Sequence, residues 1–116
     1  SRTDTEGGWR KVRNGSGVLW DVVENAPIVE GLAMPHSPRW HEGRIWFINS
    51  GTGFLCCVNP GESSPTEVCF IPGFARGLAM LGKWALVGTS AQRQNRVFTD
   101  LPLEENLARR GATPRC

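Results

Sequence analysis

Both histidines of the chain, His36 and His41, fall in one block, GLAMPHSPRWHEGRIWFINSGTG, which also holds Ser37, Asn49, Ser50 and Thr52. Imidazoles close together among hydroxyls and amides raise two kinds of chemistry: a metal site that activates water, or a serine nucleophile with a histidine base. The spacing argues against both. His-x4-His is no recognised zinc pattern in a strand context. His36 and Ser37 are adjacent, so on a strand they point to opposite faces, and a triad has no geometry to work with. No metal and no cofactor is expected. What remains is recognition of a ligand by loop donors and acceptors, which depends on the elements that carry the loops.

Those elements are strands. The 116 residues are 40% hydrophobic, with five Trp and five Phe, enough for a core, and fourteen Gly and eight Pro cut the apolar content into short pieces. GVLWDVV, APIVEGLAM, SPRW, RIWFIN, FLCCVN, EVCFIP, RGLAML and KWALVG alternate with NGSG, ENAP, HEG, SGTG, NPGESSP, PGFA and LGK. Short apolar runs punctuated by turn residues indicate an all-β sandwich, barrel or propeller.

Repetition selects among these. The tetrapeptide GLAM recurs at a spacing of 46, but aligning WHEGRIWFINS with AMLGKWALVGT superposes a strand, a Gly-marked turn and a second strand at a spacing of 39, with Gly43 on Gly82. Four antiparallel strands in such a unit resemble a propeller blade of roughly 40 to 45 residues. The expected fold is an all-β fragment of a β-propeller built from four-stranded antiparallel blades. Residues 1–35 supply two strands of one blade, 36–74 a complete blade with strands at 36–42, 44–49, 54–59 and 67–72, and 75–116 two strands of a third. Strands 44–49 and 54–59 are apolar almost throughout, as sheets packed on both faces are. Near the C-terminus, DLPLEENLARRG predicts a short helical insertion with Asp100 as N-cap, Pro102 in the first turn, Leu103 and Leu107 on one face and Gly111 at the stop. A closed propeller needs at least four blades, about 160 residues, so the chain reads as an internal piece of a longer protein whose remainder is its first partner.

Alternating strand direction sorts the loops between two ends. Residues 35–37, 49–53, 72–76 and the segment from 89 onward share one end with the N-terminal TDTEGGWRKVRNGS. The longest and most polar loops gather there, and the candidate ligand-binding cluster is His36, Ser37, Asn49, Ser50, Thr52 and Arg76. His41 falls at the opposite end. Each member also has a structural role available: His36 and Ser37 as strand-start caps, 49–53 as a tight turn. Arg76, Arg93 and Arg96 can meet an anionic ligand or pair with Glu104 and Glu105. Trp40, Trp46 and Trp84 are expected to pack between blades.

Thirteen basic residues against eleven acidic give a net charge of +2 without a dense basic stripe, which excludes nucleic acid as the expected partner. No apolar run approaches the ~20 residues of a membrane helix, and no targeting segment is visible, so a soluble, cytoplasmic protein is expected. Cys56, Cys57, Cys69 and Cys116 form no C-x-x-C pair, and reduced thiols fit. A symmetric hairpin of FLCCVN and TEVCFIP would set Cys56 opposite Cys69, within reach of a disulfide in an oxidising compartment.

TDTEGGWR, MPHSPRWHEGRIWFINSGTGFL, PGFARGLAM and LPLEENLARRGATPRC closely resemble a bacterial family of conserved hypothetical proteins of unassigned function, some labelled TPR-containing. The resemblance spans the chain and implies a longer propeller-like protein. It carries over no catalytic residue. SPRWHEGRIWFIN is similar, at the level of fold, to the senescence-marker and gluconolactonase propellers, which are metal-dependent hydrolases; their metal-binding Glu has no counterpart at His36 or Ser37. The function expected is an uncharacterised binding module for a small polar ligand or a protein partner at the loop-rich face. The alternative is a lactonase-type hydrolase with His36 and Asn49 around a metal or water.

Overall fold

The computed structural model describes residues 6–90 and 100–114. After a 3-10 turn at Gly8–Lys11 come β1 (Gly17–Asp21), β2 (Ala26–Leu32), β3 (Pro35–His41), β4 (Arg44–Asn49), β5 (Phe54–Val58), β6 (Thr66–Phe70), β7 (Phe74–Leu81), β8 (Trp84–Ser90) and α1 (Pro102–Arg109). The strands form three antiparallel sheets, β1-β2, β3-β4-β5-β6 and β7-β8, each joining neighbours in sequence. They begin and end within about two residues of the apolar runs because Gly, Pro and Asn interrupt the chain where the ladders stop. Arg93, Arg96 and Cys116 lie outside the described residues.

The middle sheet is packed on both faces. Phe47, Phe54, Cys56 and Val58 meet Leu19, Val29 and Leu32 of the first sheet. Ile48 and Leu55, with Trp46, meet Ala75, Leu78, Met80 and Val87 of the third. Alternation along each strand sends successive residues to opposite cores, so β5, with no polar residue, is buried at every position. The far side of the third sheet carries Leu81, Trp84 and Leu86 in the open.

Three expectations need correction. The turn joining β3 to β4 is Glu42–Gly43, closed by the pair His41 and Arg44, whereas β7 and β8 are closed by Leu81 and Trp84, so the two hairpins align 40 residues apart rather than 39. Gly43 takes the second turn position, after Glu42 at φ 49°, while Gly82 takes the first at φ 52°. Matching glycine to glycine therefore slips the hairpins by one. Cys69 pairs with Leu55, and Cys56 with Glu67, because a register shift separates Leu55 from Cys56; Cys56 and Cys57 are buried free thiols and Cys69 an exposed one. Trp46 packs between the middle and third sheets, and Trp40 and Trp84 are 65% and 62% exposed within the described residues.

Finally, α1 has no side-chain cap at Leu101, and Asp100 instead pairs with Arg13 at 2.8 Å. The helix otherwise follows the sequence: Pro102 opens it, and Leu103 and Leu107 join Leu101 and Phe74 in a third apolar cluster. Gly111, at φ 58°, closes it with paired bonds from Gly111 N to Ala108 O and Ala112 N to Leu107 O, the Schellman arrangement. Among the described residues α1 is the single α-helix, so no helical hairpin of the TPR kind occurs there.

Candidate functional site

His36 lies near the start of β3, Asn49 ends β4, Ser50 and Thr52 follow it, and Arg76 lies near the start of β7. Antiparallel order brings all of them, with Ser37, to one end of the sheets. His41 is at the other end, where its Nε2 is 2.7 Å from Gly82 O. α1 docks on the candidate end: Leu103 N donates to Gly51 O at 2.8 Å and Asn106 Nδ2 to Thr52 O at 2.9 Å.

The six candidates divide into two groups. Asn49 and Ser50 are buried and engaged with protein. The Asn49 Oδ1 accepts from Ala33 N at 2.9 Å, and the Ser50 hydroxyl donates to Ala75 O. Thr52 Oγ1 bonds Asn49 O at 3.0 Å within the turn. Gly51 N and Ser50 N add bonds to Ala33 O and Met34 O, so the 49–51 loop fastens the β2–β3 connection on one side and β7 on the other. Such close approach requires glycine at 51, where a Cβ would meet the Ala33 Cβ at 2.7 Å. Met34 is thereby held at φ 52°, a conformation uncommon outside glycine. Ser37, at φ 55° within the β3 bulge, donates to Arg76 O at 2.5 Å and ties β3 to β7.

His36 and Arg76 are different. Together with Arg13, Ser16, Met34 and Pro35 they line an open pocket of about 410 Å³ between β1, β3 and β7. The His36 Nε2 and the Ser16 Oγ are buried with no hydrogen-bond partner among the described residues, which few buried polar atoms in folded proteins tolerate. His36 titrates below its ordinary value of 6.5, first because burial penalises the imidazolium and second because the Arg76 charge is nearby. The Arg76 guanidinium rests 5.5 Å from the Phe74 ring centroid. Arg13 is oriented from the far side by Asp100.

Arg13 and Ser16 belong to no motif. The segment RKVRNGS was placed at this end by strand order, but nothing in its residue types distinguishes these two from Lys11 or Asn14. Among the described residues no group of three or more His, Cys, Asp or Glu side chains could hold a metal ion. No helix among them is long and apolar enough to cross a membrane.

Neither the curated proteins nor the solved structures contain a match to this sequence. A match does run over residues 1–116 to the family described as Domain of unknown function (DUF4915), and the chain belongs to that family.

Proposed function

We propose that the chain is part of a β-propeller that acts as a binding module, taking a small polar ligand into the pocket lined by Arg13, Ser16, His36 and Arg76. One observation carries this: two buried polar atoms, the His36 Nε2 and the Ser16 Oγ, belong to walls of the same pocket and have no hydrogen-bond partner among the described residues. A bound ligand supplies the missing hydrogen bonds, and leaving such groups unmade costs about 1–3 kcal/mol each. The volume suits a small molecule, near the lower end of the ~300–1,000 Å³ of ligand pockets, better than a protein partner.

The propeller is supported by side-by-side antiparallel sheets in which β3 lies against β1 and β7, as strands near a propeller axis do. Cytoplasmic residence is supported by the buried thiols of Cys56 and Cys57. The lactonase-type alternative gains no support from the pocket's chemistry, since among the described residues its lining holds two guanidiniums, which repel a divalent cation, and no carboxylate to offset them.

The test is thermal unfolding of the full-length protein against a panel of small polar metabolites, repeated on His36→Ala and Arg76→Ala. A ligand at 100 times its Kd stabilises by about 2.7 kcal/mol. The expected result is a stabilising compound whose effect shrinks in both variants. A panel that shifts nothing, or a hit whose effect both variants retain in full, contradicts the proposal.

A further inference from the structure

The pocket's charge narrows the class of ligand. Among the described residues its lining contains Arg13, His36 and Arg76 and no Asp or Glu. Among the described residues no carboxylate pairs with Arg76, whose exposed side chain is steadied by the Phe74 ring and whose backbone is held by Ser37. Asp100, Glu104 and Glu105 line a separate depression beside Asn14 and Pro102. Asp100 reaches Arg13 across the boundary between the two. Among the described residues the lining of the pocket is thus basic and that of the neighbouring depression acidic. A neutral ligand would satisfy the hydrogen-bonding groups but leave the Arg76 charge unmatched, whereas an oxyanion satisfies both.

We propose that the pocket is an oxyanion site, in which the carboxylate or phosphate group of a small ligand accepts hydrogen bonds from His36 and Ser16 beside the Arg76 guanidinium. This rests on the binding function proposed above and assigns its ligand class. Charge-assisted hydrogen bonds to a planar guanidinium are directional, so Arg76 fixes the orientation of the anionic group and the rest of the ligand extends through the open mouth of the pocket. The apolar side chains of Val18, Met34 and Pro35 complete the walls. They exclude water from one side of the site and strengthen its electrostatics.

The test is an NMR titration of the full-length protein at constant ionic strength with four probes: inorganic phosphate, citrate, glucose and glycerol. The expected result is saturable shifts of the His36 imidazole and Ser16 amide with phosphate or citrate and none with glucose or glycerol. Arg76→Ala, at an exposed side chain, weakens anion binding by about tenfold, and Arg76→Lys by less. Shifts from glucose or glycerol alone overturn the anion assignment and leave the binding function standing. No shift from any probe overturns the assignment, and the binding function then falls only if the metabolite panel is also silent. Anion binding that Arg76→Ala leaves unchanged overturns the assignment too.

Discussion

Replacing Asn49 by Ala removes the acceptor for the backbone N–H of Ala33, which Asn49 Oδ1 holds at 2.9 Å. Ala33 is 2% exposed and Asn49 8%, so water does not replace the lost partner in place. The cost is that of an orphaned buried donor, about 1–3 kcal/mol. Further loss follows from loosening the Ala33–Met34 connection, whose carbonyls accept from Gly51 N and Ser50 N. We therefore expect Asn49→Ala to lower the free energy of unfolding by about 2 kcal/mol in equilibrium urea denaturation, with the slope unchanged. Asn59→Ala serves as the control, since that exposed amide reaches only Glu62, and its cost stays within about 0.5 kcal/mol. If Asn49→Ala unfolds within about 0.5 kcal/mol of the parent, the amide is not a structural fastening, and its assignment away from the ligand is wrong.

The same connection predicts that Gly51→Ala destabilises by more than about 2 kcal/mol in the same assay, because the added Cβ meets Ala33 Cβ at 2.7 Å and Ala33 O at 2.8 Å, neither of which is the end of a flexible side chain. Thiol labelling of the native protein, read by peptide mapping, should modify exposed Cys69 well before Cys56, whose thiol burial pushes up to about 12; equal rates would contradict the burial of Cys56. Because the folded state holds His36 below 6.5, it binds fewer protons than the unfolded chain as pH falls through 6.5, so this contribution to stability is intact above 6.5, declines below it and levels off once the folded ring is protonated. His36→Ala should flatten that part of the stability profile, and an unaltered profile would mean that the ring is not desolvated.

Strand positions were legible because their ends are chemical: Asn25, Gly43, Gly53 and Gly82 take positive φ between consecutive strands, and few other residues do so cheaply. FLCCV, lacking any polar alternation, announced a strand packed on both faces. Register was less legible. A symmetric hairpin sets Cys56 opposite Cys69, but the shift between Leu55 and Cys56 breaks the count, and no residue type in the segment marks it. Asp100 suits an N-cap by type, yet Arg13, distant in sequence, captures its carboxylate.

At the candidate site, strand direction alone assigned His36, Asn49, Ser50 and Arg76 to one end. Which of them are committed to protein depended on burial, and Asn49 and Ser50 look as suitable for a ligand in sequence as His36 does. The pocket also draws Ser16 and Arg13 from a loop before β1. Only tertiary packing joins that loop to β3 and β7.

The most direct test of the pocket as an oxyanion site is the His36 pKa, followed by imidazole NMR in the free protein and with saturating phosphate. Burial and Arg76 should hold it below 6.5 in the free protein, and an anion among His36, Ser16 and Arg76 should raise it by favouring the imidazolium. A free value at or above 6.5, or a value that saturating phosphate and citrate both leave unmoved, would contradict the account.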